Sequence, residues 1–412
     1  MGKVLNIPEH KCVSSTPSTP DTGFSKIYAK SDGQWYRLDD AGIETPLGST
    51  AIIQEGAGTG STYRVDYGNS ASGNYSTISG GKNNSTALLF STVSGGYCNT
   101  ASGYAATISG GYNSSASGSY ATISGGKQNT ASAYYVTISG GACNSATACS
   151  SSVSGGCSNT ASDCFSTIGG GACNTASGFI STVGGGVNNI AGCTYSVVSG
   201  GNGNCITGGC ATIGGGESNT ASCISTVGGG AGNCTVGQCS TIGGGWQNYS
   251  CDGSAVAGGI SNKACAGAIA ISGGSENQAC HNYAAVGGGF CNRICGLAAG
   301  PYSTIGGGLI NTISGGYATV ISGGRENTAC CFYSVVAGGY CNTVSGAYSG
   351  ILGGKSNTDS GCAAAFIIGN AITADRICTT FVNNISIKNI PTSSAGLPSG
   401  AVYSDLCILK IV

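Results

Sequence analysis

A short motif, Thr-Ile-Ser-Gly-Gly or a close variant of it, recurs along most of this chain at a nearly constant interval. In TISGGYNSSASGSYATISGG, residues 107–126, it returns after 15 residues. Counted from its threonine as position 0, most copies between residues 77 and 350 lie 15 residues apart, and a few lie 14, 16 or 19 apart. Self-similarity at a fixed short period is the signature of a solenoid, and it outweighs local propensity.

Each column of the repeat predicts a structural role. Position 1 is always Ile or Val, which indicates a short strand with one inward β-branched side chain. Positions 3 and 4 are always Gly-Gly, as at Gly110 and Gly111, and they predict a sharp corner with positive φ or close backbone packing. Position 9 is mostly Ala, which predicts a second, small inward residue.

Position 7 is Asn in every copy except Ser114. Asparagine tolerates left-handed backbone and hydrogen-bonds its own turn, and stacked amides form ladders along a cross-β axis. We therefore predict an asparagine ladder that includes Asn84, Asn99, Asn129, Asn144, Asn159 and Asn174.

These columns together predict an all-β fold, a parallel β-solenoid (β-roll) of about 20 coils of 15 residues over residues 62–368. Residues 1–61 form a predicted cap or attachment module, with a β-hairpin in SKIYAKSDGQWYRLDD (25–40) turning at Asp32-Gly33. Residues 369–412 break the period and predict a C-terminal capping and trimerisation segment. Its end, GLPSGAVYSDLCILKIV, is typical of a Pro/Gly turn with a hairpin.

The alternation of ATISGG with SSASG resembles the head repeats of YadA-type trimeric autotransporter adhesins, which carry S-V-A-I-G followed by S-x-A-x-G in coils of about this length. That resemblance implies a left-handed parallel β-roll and an intertwined or side-by-side homotrimer. A core of one Ile or Val and one Ala per coil is small, so burial between three chains would enlarge it. The segment SIKNIPTSSAGLPSGAVYSDLCILKIV (386–412) instead resembles the ends of fibre-like structural proteins of tailed phages and large DNA viruses.

Charge and hydropathy exclude several partners. Charged residues are 8% of the chain and the net charge is −1, so no basic patch predicts a nucleic-acid partner. No apolar run is long enough to predict membrane insertion, and the first residues lack the apolar stretch of an export signal. The 24 cysteines nevertheless favour an oxidising final location. A virion component released by lysis, on the virion surface or outside the cell, satisfies both observations.

The cysteines predict structural disulfides, although filling of small apolar sites by free thiols stays an alternative. Equivalent positions in successive coils lie about 4.8 Å apart, which is within reach of a disulfide. The vertical candidates are Cys149 with Cys164 and the column Cys251, Cys265, Cys280 and Cys295; the candidates within one coil are Cys205 with Cys210 and Cys234 with Cys239. No C-x-x-C pair exists and the chain has 2 histidines, so we expect no metal site.

Acidic residues in the repeats are isolated, and the Gly-Gly pairs lack the context of a phosphate loop, so we expect no enzyme activity and no cofactor. The sequence favours a fibre or spike on a virus particle, a stalk for host attachment through a surface glycan or receptor, with residues 1–61 bound to the virion base or capsid. The alternatives are a secreted or cell-surface microbial adhesin, a self-assembling filament and, with less support, an ice-binding solenoid with a flat Thr-Ser face. The four extra residues around CGLAAGPYS (295–303) predict either a binding loop or a tolerated bulge.

Overall fold

The computed structural model describes residues 17–19, 26–30, 35–38, 41–46, 54–63, 68–383, 399, 402–405 and 408–411. Over these residues the chain is an all-β parallel solenoid of about 21 turns of roughly 15 residues, which confirms the predicted fold class. No helix occurs in this part of the chain, and so none of its segments is a candidate membrane-spanning helix. The chain forms two compact units, Met1–Ser218 and Asn219–Val412.

Each turn carries two very short strands and one further bridge. The first strand covers positions 0 and 1, the second strand covers positions 8 and 9, and the bridge lies at position 5. Each element pairs in parallel with its equivalent one turn away, as in Ile108 with Ile123, Ala116 with Ala131 and Tyr97 with Tyr112. The repeat period thus becomes the register of the sheets, and almost every backbone hydrogen bond is made to a neighbouring turn.

In the first unit the first strands are Thr62–Tyr63, Thr77–Ile78, Thr92–Val93, Thr107–Ile108, Thr122–Ile123, Thr137–Ile138, Ser152–Val153, Thr167–Ile168, Thr182–Val183, Val197–Val198 and Thr212–Ile213. The second strands of that unit are Ser70–Ala71, Ser85–Thr86, Thr100–Ala101, Ser115–Ala116, Thr130–Ala131, Ser145–Ala146, Thr160–Ala161, Thr175–Ala176, Ile190–Ala191 and Cys205–Ile206.

In the second unit the first strands are Thr226–Val227, Thr241–Ile242, Ala255–Val256, Ala270–Ile271, Ala285–Val286, Thr304–Ile305, Val320–Ile321, Val335–Val336, Gly350–Ile351, Phe366–Ile368 and Thr380–Val382. The second strands are Thr220–Ala221, Cys234–Thr235, Tyr249–Ser250, Lys263–Ala264, Gln278–Ala279, Arg293–Ala299, Thr312–Gly316, Thr328–Ala329 and Thr343–Val344.

The core contains the three predicted inward columns, namely the two apolar columns and the asparagine column. It also contains a fourth column that the sequence did not predict. Ile or Val at position 1, Asn at position 7 and Ala at position 9 are buried throughout. The residue immediately before the first strand is buried as well. In the first unit this column comprises Ser61, Ser76, Ser91, Ala106, Ala121, Val136, Ser151, Ser166, Ser181, Ser196 and Ala211. Some of its serines close the last corner, since Ser91 and Ser151 each donate a hydrogen bond of 2.7 Å to the carbonyl three residues earlier.

Two corners of each turn have left-handed backbone, and in most turns the residues there are not glycine. Position 6 has φ near +55°, as in Cys98 and Asn113, and position 13 has similar values, as in Tyr120 and Ile180. The N–H at each of these corners donates to a carbonyl of the preceding turn, as Tyr120 does to Tyr104 at 2.7 Å. Left-handed backbone costs an ordinary residue about 1–2 kcal/mol, so these hydrogen bonds hold the corners against an intrinsic preference.

Replacing Ile180 with asparagine should raise the free energy of unfolding by about 1 kcal/mol, because asparagine accepts left-handed backbone and a β-branched residue resists it. Ile180 has φ of 53° and its side chain is 39% exposed, so little packing is lost. The control is Ile190→Asn, at a residue that is 40% exposed but lies in the strand Ile190–Ala191. Thermal denaturation should rank Ile180→Asn above wild type and Ile190→Asn below it; the reverse order would contradict the strain at this corner.

The chain outside the regular turns is also β-structure where it is described. Lys26–Ala29, Trp35–Leu38 and Glu44–Pro46 form a three-stranded antiparallel sheet, so the N-terminal hairpin is present, and its Asp32-Gly33 turn lies outside the described residues. Gln54–Glu55 pairs antiparallel with Thr62–Tyr63 at the first turn of the solenoid.

At the C-terminal side, Thr380–Val382 pairs in parallel with Phe366–Ile368, so the ladder continues past residue 368, the predicted boundary. Val402–Asp405 and Ile408–Ile411 form the antiparallel hairpin expected near the C-terminus. The four extra residues after Cys295 lengthen one second strand to Arg293–Ala299, which pairs with Thr312–Gly316 across a register shift. A bulged strand pair therefore takes up this insertion.

Candidate functional site

The asparagines at position 7 form a buried column in which each amide bridges two turns. Asn159 donates through Nδ2 to the carbonyl of Gly155 in its own turn and to that of Gly171 in the next turn, both at 2.9 Å. Its Oδ1 accepts the backbone N–H of Asn174 at 3.0 Å. The same pattern joins Asn84 to Asn99, Asn129 to Asn144 and Asn144 to Asn159. The column therefore satisfies the polar groups of the Gly-Gly corner inside the coil.

Ser114 interrupts this column with a shorter side chain. The backbone N–H of Ser114 still donates to Oδ1 of Asn99 at 3.0 Å, and Oγ of Ser114 accepts the N–H of Asn129 at 3.2 Å. Serine thus replaces the acceptor of an asparagine but does not reach the two glycine carbonyls that an amide would bridge. This turn keeps the register and loses two hydrogen bonds, one within the turn and one to the next turn.

One pair of the predicted cysteines is bonded. Cys280 and Cys295, in successive turns of the second unit, form a disulfide with their Cα atoms 5.1 Å apart. The structure leaves the other eight candidates as free thiols: Cys149, Cys164, Cys205, Cys210, Cys234, Cys239, Cys251 and Cys265. Partial burial raises the pKa of the thiols of Cys205, Cys234 and Cys265, which favours their protonated form.

In the second unit, Cys251 lies near two of these thiols, Cys234 and Cys265. A hydrogen bond to Cys251 raises the pKa of Tyr249 to about 12, so the Tyr249 hydroxyl keeps its proton at any physiological pH. A nearby Cys251 also raises the pKa of Cys265, after burial, which is the larger cause. The column from Cys251 to Cys295 thus holds one disulfide and two free thiols.

Replacing both Cys280 and Cys295 with serine should lower the free energy of unfolding by about 3 kcal/mol, because the disulfide closes a 15-residue loop. The control replaces Cys149 and Cys164 with serine, a pair with the same spacing and free thiols, and should change stability by less than about 0.5 kcal/mol. Denaturation with and without dithiothreitol measures both effects. Equal losses in the two variants, or no effect of reductant on wild type, would show that the bridge contributes nothing.

Exposed aromatic rings follow one edge of the first unit, at positions 12 and 13. Tyr75 stacks on Phe90 with ring centroids 5.7 Å apart, and Tyr120 stacks on Tyr135 at 4.9 Å. Edge-to-face contacts through Tyr104 link the two stacks. The four rings of these two stacks are 38–56% exposed. We call this set, with Tyr134, the aromatic edge. The second unit repeats the arrangement in Tyr283, Tyr302, Tyr317, Tyr333 and Tyr348.

A second aromatic set lies at position 5 of the first unit, on the side made by single bridges. Tyr97 and Tyr112 stack with centroids 5.5 Å apart. The ammonium of Lys82 lies 6.0 Å from the centroid of Tyr97, and that of Lys127 lies 5.9 Å from the centroid of Tyr112. Both lysines are exposed, and no ion pair to either occurs within the described chain. We call these four residues the Lys-Tyr column.

The second unit has a related cluster with an acid added. The guanidinium of Arg325 and the ammonium of Lys355 lie 5.4 and 5.6 Å from the ring centroid of Tyr340. Glu326 accepts a hydrogen bond from Cys341 and pairs with Arg325 at 2.9 Å, and these contacts lower the pKa of Glu326. The carboxylate neutralises one of the two cations, so this cluster is less positive than the Lys-Tyr column.

Within the described residues, no three His, Cys, Asp or Glu side chains are grouped as metal ligands. The groups exposed on the surface are stacked rings, ammonium groups, and amide and hydroxyl side chains at a regular spacing, and these groups are suited to binding by contact. Neither aromatic set was predicted from the sequence. The recurrence of tyrosine at position 13 could have revealed the aromatic edge, whereas position 5 holds few tyrosines. No protein-family model matches this chain, and no curated protein matches it.

Proposed function

We propose that this protein is a non-enzymatic structural fibre or spike of a virus particle, a rigid stalk that works as a homotrimer and attaches the particle to its host. The observation that carries the proposal is the aromatic edge, which repeats apolar rings on a scaffold whose backbone and buried amides are already satisfied. Such a surface is suited to side-by-side contact with copies of the same chain. The resemblance to trimeric adhesin heads and to viral fibre ends supports the same role.

The near-neutral surface supports this role as well, since it limits non-specific electrostatic attraction. Residues 1–61 would attach the fibre to the virion base or capsid, and the stalk would present its surface to a host glycan or receptor. The protein would then act at the virion surface, outside the host cell.

Light scattering of the intact protein under non-reducing conditions tests the assembly. We expect the mass of three chains for wild type. Tyr120→Ser together with Tyr135→Ser, on the aromatic edge, should reduce the mass to one chain. Tyr97→Ser with Tyr112→Ser is the control pair on another side of the coil and should leave the trimer intact. A single-chain mass for wild type would overturn the trimer, and a mass that grows with time would favour the alternative of a self-assembling filament.

A further inference from the structure

Both lysines of the Lys-Tyr column are exposed, and neither has an acidic partner within the described residues. The chain has 15 Lys and Arg among 412 residues, yet two lysines lie here three turns apart on one side of the coil. Each ammonium faces the outer side of a two-ring stack, and the rings stay 39% and 46% exposed. An exposed cation–π contact contributes only about 0.5–1 kcal/mol, so much of the attraction of each ammonium for an anion is retained.

Polar side chains flank the same column. Position 6 holds Asn83, Asn113 and Gln128, which are exposed at left-handed corners next to Lys82, Tyr112 and Lys127. These amides and the phenol hydroxyls supply donors and acceptors at intervals of one turn. The surface is therefore repetitive and hydrogen-bonding, with a positive charge at each end.

We propose that the Lys-Tyr column binds a linear sulfated polysaccharide. Sulfate groups would pair with the ammonium groups of Lys82 and Lys127, and sugar hydroxyls would hydrogen-bond to the flanking amides and phenols. A polysaccharide fits because it presents repeated anionic and hydroxyl groups without apolar side chains that need pockets. This inference rests on the proposed attachment role and names the ligand class for it. The Arg325 cluster is the weaker site because Glu326 neutralises its guanidinium.

Binding of heparin oligosaccharides to the full-length protein, measured by isothermal titration calorimetry at physiological salt, tests the proposal. Lys82→Gln with Lys127→Gln should weaken binding roughly tenfold, since each lost cation–sulfate contact is an exposed ion pair. The control is Lys263→Gln, which removes one exposed cation from the strand Lys263–Ala264 of the second unit. That variant should change affinity less than about twofold, and desulfated heparin should bind wild type at least as weakly as heparin binds the double variant.

Three results would overturn the inference. These are no heparin binding by wild type, an equal loss of affinity from Lys263→Gln, and equal or tighter binding of polyglutamate, which would assign the column to an acidic peptide. The mass of each variant from light scattering separates this test from that of the fibre itself. Lost heparin binding in a protein of unchanged mass concerns the column alone, whereas a trimer that binds no heparin refutes the ligand and leaves the fibre role standing.

Discussion

Gly111→Ala is expected to lower the free energy of unfolding by about 4 kcal/mol, whereas Gly110→Ala, one residue earlier, leaves it unchanged or slightly higher. Gly111 has φ of 103°, a conformation that alanine resists. A Cβ there would lie less than 3.0 Å from the carbonyl oxygen and from the nitrogen of Gly126 in the next turn. Strain of about 1–3 kcal/mol adds to a backbone overlap of similar cost.

Gly110 differs in both respects. It has no positive φ, and a Cβ built there meets nothing within 4 Å. Alanine should therefore be accepted, with a gain of about 0.5 kcal/mol from the less flexible unfolded chain. In this turn, therefore, only the second glycine is required by the stacking of turns, whereas in other turns the first glycine has positive φ as well, as at Gly273 and Gly288.

Repeat proteins can lose structure turn by turn, so a local measurement should accompany thermal denaturation. Hydrogen exchange of the Tyr112 amide is suitable, because that N–H donates to the carbonyl of Gly126 at 2.8 Å. Its exchange should accelerate in Gly111→Ala and stay unchanged in Gly110→Ala. Similar melting temperatures and exchange rates for the two variants would contradict the close approach of successive corners.

The inward columns could be predicted from the sequence because one physical demand fixes each of them. Position 1 is always a buried Ile or Val, as at Ile108, and position 9 is most often a buried Ala, as at Ala116, although Ile206 and Ile294 occupy it in other turns. The Gly-Gly corner and the amide ladder followed for the same reason. The serines before the first strand were missed, because Ser91, Ala106 and Val136 do not share one chemical type.

The left-handed corners at position 13 could not be found in this way. That column holds Tyr120, Ile180 and Cys210, whose side chains have little in common. Hydrogen bonds to the preceding turn impose the backbone there, as from Ile180 to Cys164 at 3.0 Å, so the side chain is free to vary. The aromatic edge lies on these corners, which places variable, exposed residues on a rigid spacing. Because the backbone at such a corner does not depend on the side chain, a repeat protein can vary these residues and form contact surfaces with them.

The sequence predicted which cysteines lie at equivalent positions of successive turns, but not which of them are bonded. Sequence placed Cys280 above Cys295 and, equally, Cys149 above Cys164, yet only the first pair is bonded. Equivalent positions bring Cα atoms within range at any level of a solenoid. The direction of each Cβ and the burial of each thiol decide the rest, and neither can be derived from spacing.

Asn159→Asp is expected to destabilise the protein by about 4 kcal/mol at neutral pH, although the two side chains have nearly the same shape. Asn159 is fully buried and donates to the carbonyl oxygens of Gly155 and Gly171. A carboxylate would turn an acceptor towards both oxygens, which leaves them unpaired and adds repulsion. The acceptor for the N–H of Asn174 would remain, so the loss comes from the two missing donors and the buried charge.

The loss should depend on pH in a stated direction. Burial and the facing carbonyls would raise the pKa of an aspartate at residue 159 above its unfolded value of about 4. The folded state then binds more protons than the unfolded state, so stability falls as pH rises from about 4 towards the folded pKa. At lower pH the carboxyl is protonated, donates to one carbonyl, and most of the loss should be recovered. Wild type should show no matching change.

Two further substitutions test the same column without a buried charge. Asn159→Ser copies the natural exception and should cost about 2 kcal/mol, because serine keeps the acceptor and loses both donors. Ser114→Asn should raise the free energy of unfolding by about 1 kcal/mol, because it restores an amide to the column. Ser114 already makes hydrogen bonds to Asn99 and Asn129, so the new amide would enter a column that is in register. Urea denaturation at several pH values compares all three variants. A pH-independent loss in Asn159→Asp, or destabilisation by Ser114→Asn, would mean that the amides fill space without bridging the turns, because an amide and a carboxylate of the same volume differ only in charge and in hydrogen bonding.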